Sequence, residues 1–285
     1  YTASITTNST DTQGNVAISI AFSDLAGNAG DAVTATTNSS SVIYDRAVPT
    51  LSAVTVTSNN DNSAYAKEGD IVTLSFTSSE NLQSDPTVTI DGNAATVSGS
   101  NTTWTAAYTM QSGDTEGDVN FTIDFLDLAS NSGSRVTTLT SGDKIVYDET
   151  VPTLPTVDIS SNNSNGATFA KVGDVITISV SASENIQTPT VTIAGNAAAI
   201  ATGSNGERVY TATYTMQSSD NTGVIPFTVD FSDMANNAGT QVTAVANDSD
   251  GGVTFDKQAP SFTTVTMSSN NSTSTLAIVN DVITL

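Results

Sequence analysis

Twenty-nine acidic residues against seven basic ones give this 285-residue chain a formal net charge of −22, and it contains no His and no Cys. Those counts exclude disulfides, thiolate chemistry, cysteine-bound zinc and the commonest general base; they argue against nucleic acid or an anionic membrane as a partner and favour divalent cations. Hydrophobic residues make up 37%, enough for a core, and no run of 18 apolar residues reads as a membrane span.

In chain order, the first predicted strand is already under way at Tyr1-Thr-Ala-Ser-Ile5, so the true N-terminus is expected to lie upstream, and no signal peptide is visible. The nonapeptide FSDLAGNAG follows at 22–30, and the segment VIYDRAVPT ends at Thr50. From there the alternation of apolar and polar residues predicts strands only. They lie at 51–57, at 71–77 with Val72, Leu74 and Phe76 on one face, at 87–91, and at 94–98 as a short return strand. Next come 103–110, with Trp104, Ala106, Tyr108 and Met110 on one face, and 119–126, with Val119, Phe121, Ile123 and Phe125 inward. A last strand at 135–147 is broken near Gly142. Asp91-Gly92 and Ala194-Gly195 fall where tight hairpins are needed.

The same series then recurs. FLDLASNSG at 125–133 and FSDMANNAG at 231–239 repeat the first nonapeptide. TSNN at Thr57 matches SSNN at Ser160 and Ser268, AKEGDIVTLSF at Ala66 matches AKVGDVITISV at Ala170, and PTVTIDGNAA at Pro86 matches PTVTIAGNAA at Pro189. Pro49, Pro152 and Pro260 are spaced by 103 and 108 residues. The expectation is a tandem array: the C-terminal half of a repeat at 1–47, whole repeats at 48–150 and 151–258, and the N-terminal part of another at 259–285, cropped from a longer array. Seven short strands in about 100 residues with Gly, Asn and Asp turns indicate a seven-stranded immunoglobulin-like β-sandwich for each repeat, so the fold class is all-β in an extended array.

The ordered motifs AKxGDxVTxxFxxSE, PTVTIxGNAA, WTAxYTM, FxDxAxNxG and VxYDxxxPT resemble the bacterial Ig-like repeats of giant secreted surface proteins and adhesins, over the entire chain. Val279-Asn280-Asp281 departs from the usual Lys-x-Gly-Asp, and Ser84-Asp85 lengthens one loop. The resemblance implies a stalk that holds a terminal head away from the cell, often rigidified by calcium, at a bacterial surface or in a secreted protein.

Alternating strand directions place the loop carrying Glu80, the nonapeptide carrying Asp127 and Asn131, and the preceding linker carrying Asp45 at one pole of the first whole repeat. Glu184, Asp233, Asn237 and Asp148 hold the same places in the second. Converging carboxylates repel without a cation, and Ca²⁺ takes six to eight oxygen ligands, so calcium is the expected cofactor at each junction. Asp and Asn are also ordinary turn residues that bond their own backbone, so Asn131 and Asn237 are expected either to join the ligands or to hold the loop. Gly133 and Gly239 are expected to supply left-handed backbone angles there. Asp70, Asp174, Asp114, Glu116 and Asp118 fall at the opposite pole, where they are expected either to form a second site or to extend the first. Trp104, Tyr210 and Tyr1 share strand parity with Tyr108, Tyr214 and Ile5, which indicates core packing rather than a sugar platform. Lys67 and Lys171 have no identifiable isopeptide partner, and Asn-x-Ser/Thr triplets such as Asn101 and Asn247 read as products of composition.

The functional expectation is a non-catalytic spacer, with neighbouring repeats of the same chain as its partners. The alternatives are a filament or surface-layer subunit packing against identical chains, and a glycan- or protein-binding module. A binding module should carry one loop unlike its siblings, whereas these loops are small, polar and alike.

Overall fold

The computed structural model describes residues 1–202, 206–245 and 252–285. The described chain is essentially all-β, with several sheets, one three-residue 3-10 turn at Gly206–Arg208 and no α-helix. No helix is long and apolar enough to cross a membrane. Two compact units are present: Tyr1–Pro152 with Ser232–Gly239, and Thr153–Phe231 with Thr240–Leu285.

In the first unit, a four-stranded antiparallel sheet runs in the order Leu51–Ser58, Ile71–Ser78, Thr103–Thr109, Thr96–Ser100. A second sheet orders Phe121–Asp124, Thr87–Ile90 and Asn93–Ala94. A third, small sheet sets Val146–Tyr147 between Gly117–Asp118 and Tyr65–Ala66, the last pair parallel. Alternation decides which side chains enter the space between the sheets. Val72, Leu74, Phe76, Trp104 and Ala106 come from the first sheet; Val88, Ile90, Phe121 and Ile123 come from the second. All belong to one buried cluster, so the arrangement is β-sandwich-like. Burying each large aliphatic side chain contributes about 1.5–3 kcal/mol.

Two hairpins close as the turn residues require. Asp91 and Gly92 both have positive φ, 49° and 77°, the combination a tight primed turn needs. Ala194 and Gly195 repeat it at 52° and 79° in the second unit, where a Cβ-bearing Ala accepts the left-handed angle.

The long last strand expected at 135–147 does not form. Only a bridge from Val136 to Ile123 and the short strand Val146–Tyr147 remain of it. Positive φ at Ala53 (51°) accompanies a register shift between Ser52 and Thr55. Nearby, the Val54 carbonyl accepts the Thr140 backbone N–H at 2.9 Å. The segment therefore leaves one sheet for the edge of the other and turns at Gly142, φ 85°.

The second unit repeats the plan. Its four-stranded sheet orders Thr156–Ser161, Val175–Ser181, Val209–Thr215 and Ala199–Thr202, and a three-stranded sheet orders Asn196–Ala197, Thr190–Ile193 and Phe227–Asp230. Ile176, Ile178, Tyr210, Ile193 and Val229 share its core. The Asn247 triplet lies outside the described residues.

Segments 1–47 and 259–285 carry little regular structure. The first has Gly14–Asn15 paired with Ile43–Tyr44, and the second Ser268–Ser269 paired with Ile283–Thr284. This corrects the core assignment of Tyr1 and Ile5, which are exposed, whereas Trp104 and Tyr210 are buried. The segment 1–47 contains no counterpart of Ile71–Ser78 for the Tyr1–Ile5 stretch to pair with, so parity alone could not bury it.

Candidate functional site

The nonapeptide loop is held by the same Asp–Asn bonds at its three occurrences. At 125–133, the Asp127 N–H donates to the Asn131 carbonyl at 3.1 Å, and the Gly133 N–H to the Phe125 carbonyl at 3.0 Å. Asp127 then organises the interior: its Oδ1 accepts the N–H groups of Ala129 and Asn131, both at 2.8 Å, and its Oδ2 accepts the Asn131 amide at 2.7 Å. Asp233 with Asn237, and Asp24 with Asn28, make the same backbone and amide bonds. An Asp fits because a short carboxylate reaches its own backbone two and four residues on.

The left-handed position in this loop is not the terminal glycine. It is Gly27 (φ 86°), Ser130 (71°) and Asn236 (67°), while neither Gly133 nor Gly239 has positive φ. Gly133 serves a different purpose. A Cβ there would lie 2.2 Å from the Phe125 ring, and one at Gly30 would lie 2.3 Å from the Phe22 ring. The glycine lets the ring fold beneath its own loop.

Three chain segments meet at this loop. Gln83 donates its N–H to the Leu126 carbonyl at 3.0 Å, and Leu82 bridges Asp127, which pins the loop carrying Glu80 against the nonapeptide. The Asn131 amide donates to the Asp45 carbonyl at 3.3 Å, which fixes the linker. Asp45, Glu80 and Asp127 each present a carboxylate oxygen within 4.8 Å of the other two. Asp127 is fully buried, and the other two are half-buried.

Burial, then the charges of Asp45 and Asp127, raises the Glu80 carboxyl above its ordinary value. Two unit charges 4.8 Å apart repel by about 0.9 kcal/mol in bulk water and about 3.5 kcal/mol at the effective dielectric near a protein surface. Among the described residues no basic side chain pairs with the three; the ion pairs are Arg135–Asp124 and Lys144–Asp118. Among the described residues no donor meets the Glu80 carboxylate either.

Of the other expected residues, Asp148 and Asp233 come together in the first unit. Their carboxylates lie within 4.8 Å, and the Asn237 amide donates to the Asp148 carbonyl at 2.8 Å. Burial raises the Asp148 carboxyl; the Thr150 N–H lowers it by less, and the charges of Asp233 and Glu116 add to the rise. Glu184 belongs to the second unit and is half-buried. Asn131 and Asn237 take the loop-holding role, donating to the Asp and to the linker carbonyl.

The acids of the opposite pole make local bonds. Asp70 accepts from Asn60 at 2.7 Å, and Asp114 accepts from the Gln111 backbone at 2.7 Å and from Asn93 at 2.9 Å. Asp118 pairs with Lys144.

Sequence reasoning missed a second contact at that pole. The backbone carbonyls of Met234, Ala235 and Asn236 are met by Asn62 at 3.0 Å, Asn60 at 2.8 Å and Lys67 at 2.6 Å. The Asn236 amide returns a bond to Asn60 Oδ1 at 2.9 Å. The available signal is the repeated Ser-Asn-Asn. Lys67 meets a backbone carbonyl and not a side-chain amide, which is not isopeptide geometry.

No protein-family model and no curated protein matches the sequence. Among solved structures, the chain is similar to that titled Rst D1-D2, at 10% identity and TM-score 0.28, over 71% of this chain and 100% of that one. It is also similar to dimeric latent PorU from Porphyromonas gingivalis, at 12% identity and TM-score 0.26, over 73% of this chain. The chain spans 24% of the PorU chain.

Proposed function

We propose that this chain is a non-catalytic spacer segment of a large extracellular bacterial repeat protein, built of tandem immunoglobulin-like sandwiches and stiffened by calcium. The observation that carries the reading is the trio Asp45, Glu80 and Asp127, brought within 4.8 Å by a linker and two loops with no basic partner among the described residues. The set fits calcium on geometry. Oxygens on opposite sides of an ion at about 2.3–2.6 Å are about 4.6–5.2 Å apart, so one ion can touch all three carboxylates. Backbone carbonyls and water would complete six to eight ligands. A cation there would tie the linker to both loops and remove the repulsion among the acids.

The immunoglobulin-like reading draws support from the strand order of each large sheet, in the first unit Leu51–Ser58, Ile71–Ser78, Thr103–Thr109 and Thr96–Ser100, which corresponds to the A-B-E-D order of an immunoglobulin sandwich. The spacer reading draws support from loops that repeat one another, each with the same Asp-centred turn.

Calcium titration followed by calorimetry and by thermal unfolding tests the proposal. Calcium should raise the melting temperature of the first unit, and a chelator should reverse it. A ligand at a hundredfold excess over its dissociation constant stabilises by about 2.7 kcal/mol. Melting curves that coincide with calcium and with chelator refute the cation.

A further inference from the structure

We propose that the cavity beside Phe121 is a binding site for a small neutral ligand that carries a lactam or a primary carboxamide. The cavity holds about 300 Å³ and lies within the first unit, where strands Leu51–Ser58 and Phe121–Asp124 meet the segment 137–144. Val56, Val119, Phe121 and Leu139 give it apolar walls, and the exposed Thr137 also lines it.

The main chain at its wall distinguishes it from a packing gap. Ile123 exchanges both backbone bonds with Val136, at 2.9 and 3.1 Å. Successive residues of an antiparallel strand turn their N–H and C=O to opposite edges, so Phe121 and Ile123 share an edge. The Asp91 N–H donates to the Asn120 carbonyl at 2.7 Å on the other edge, which fixes the same phase. Two residues before Phe121, the Val119 N–H donates to the Ile145 carbonyl at 2.9 Å. The edge is therefore paired at 123 and 119 and open at 121. Among the described residues no group bonds the Phe121 N–H or C=O, although Phe121 is only 8% exposed and buried backbone groups are ordinarily paired.

The segment 137–144 cannot close the gap, because it detours to the first strand, where the Thr140 N–H donates to the Val54 carbonyl at 2.9 Å. The detour belongs to the repeat. Val229 exchanges both bonds with Val242 while the Ile225 N–H donates to the Val253 carbonyl; Ile20 pairs with Val33 while the Val16 N–H donates to the Val42 carbonyl. The same two pairings thus flank Phe227 and Ile18.

A donor and an acceptor of one extended residue face the same way, so their complement is an acceptor and a donor on neighbouring atoms. A lactam and a primary carboxamide carry that pair. A trans secondary amide does not, since its N–H and C=O point in opposite directions. A carboxylate lacks the donor and is repelled by a formal net charge of −22. Lys144, which also lines the cavity, is already paired with Asp118 at 2.8 Å and does not call for an anion. The volume is roughly twice that of a ~150 Å³ cavity that holds benzene, which leaves room for one substituted ring against the apolar walls.

The cavity shares no residue with the trio Asp45, Glu80 and Asp127. Its test is run with chelator present, and its failure leaves the calcium reading untouched. The isotope-labelled full chain is titrated with valerolactam and followed by the NMR amide signals. The Phe121 signal should move and saturate. N-methylvalerolactam keeps the ring and carbonyl but loses the donor, and it should bind at least about tenfold more weakly. Leu139→Trp, which fills the cavity, should abolish the shift; circular dichroism checks its fold, and Val56→Phe repeats the test from another strand. Equal affinity for the two lactams, shifts that grow without saturating, a Phe121 signal that stays still, or undiminished binding to both folded variants would overturn the proposal.

Discussion

Replacing Asn60 by Ala should cost the first unit more than its place in a loop suggests. The side chain is 8% exposed and makes four bonds. Its amide donates to Asp70 and to the Ala235 carbonyl, and its Oδ1 accepts from the Asn62 N–H and the Asn236 amide. A neutral bond contributes about 1 kcal/mol net, and one to a charged group about 1.5–3 kcal/mol. Water can reach some of the partners, since Asn62 and Asp70 are half-buried, so the expected loss is about 3–5 kcal/mol rather than the full sum. Asn62→Ala removes one bond across the contact and should cost about 1 kcal/mol. Trp104 is the single tryptophan of the chain and lies buried in the core of the same unit, so its fluorescence during urea unfolding reports that unit. With a urea slope of about 2 kcal/mol per molar, the Asn60→Ala midpoint should fall by about 1.5–2.5 M. A shift no greater than that of Asn62→Ala would refute the account of Asn60 as the centre of the contact.

Three further outcomes follow from the geometry. Asp127→Ala strands two backbone N–H groups and the Asn131 amide, and should cost about 3–5 kcal/mol even with chelator present, read by the same Trp104 transition. Gly133→Ala forces the buried Phe125 ring to move and should cost about 1–3 kcal/mol, whereas Gly30→Ala, beneath the exposed Phe22, should cost much less by urea melts. Glu80 binds its proton more tightly folded than unfolded, because its folded value is raised. Without calcium its contribution should therefore fall as pH rises from below the ordinary value of 4.5 through the raised one. Glu80→Gln should remove that slope from the wild-type minus variant difference, and calcium should reverse it, since the cation needs the ionised form.

Strands at 51–57, 71–77 and 103–110 were legible because alternation is a local property that burial on one face enforces. The same held for Val119, Phe121, Ile123 and Phe125, which enter the core as their parity requires. The segment 135–147 was not legible, because its partner is chosen by a free Val54 carbonyl distant in sequence. Parity placed Trp104 correctly and Tyr1 wrongly for one reason: it says which way a side chain points, not whether a second sheet waits there. At the site, loop adjacency followed from strand direction, so the approach of Asp45, Glu80 and Asp127 was readable. The roles of Gly133 and Asn60 were not, because each depends on an atom that the sequence does not place, a ring carbon in one case and a carbonyl in the other.

The recurrence of the nonapeptide does not by itself argue for a cation. Its Asp has both carboxylate oxygens engaged by its own loop, at Asp24 as at Asp127, so turn formation alone would retain Asp and Asn. The glycine is retained for the ring beneath it. Glu80 is different. No hydrogen-bond donor meets its carboxylate among the described residues, and burial first, then the charges of Asp45 and Asp127, raises its carboxyl. A turn gains nothing from that Glu and loses stability by its repulsion, while a cation turns the same charge into a ligand. The weight of the calcium reading therefore rests on Glu80 rather than on the motif that repeats. At positions 234–236 the motif has a second use, its backbone carbonyls being held by Asn60, Asn62 and Lys67.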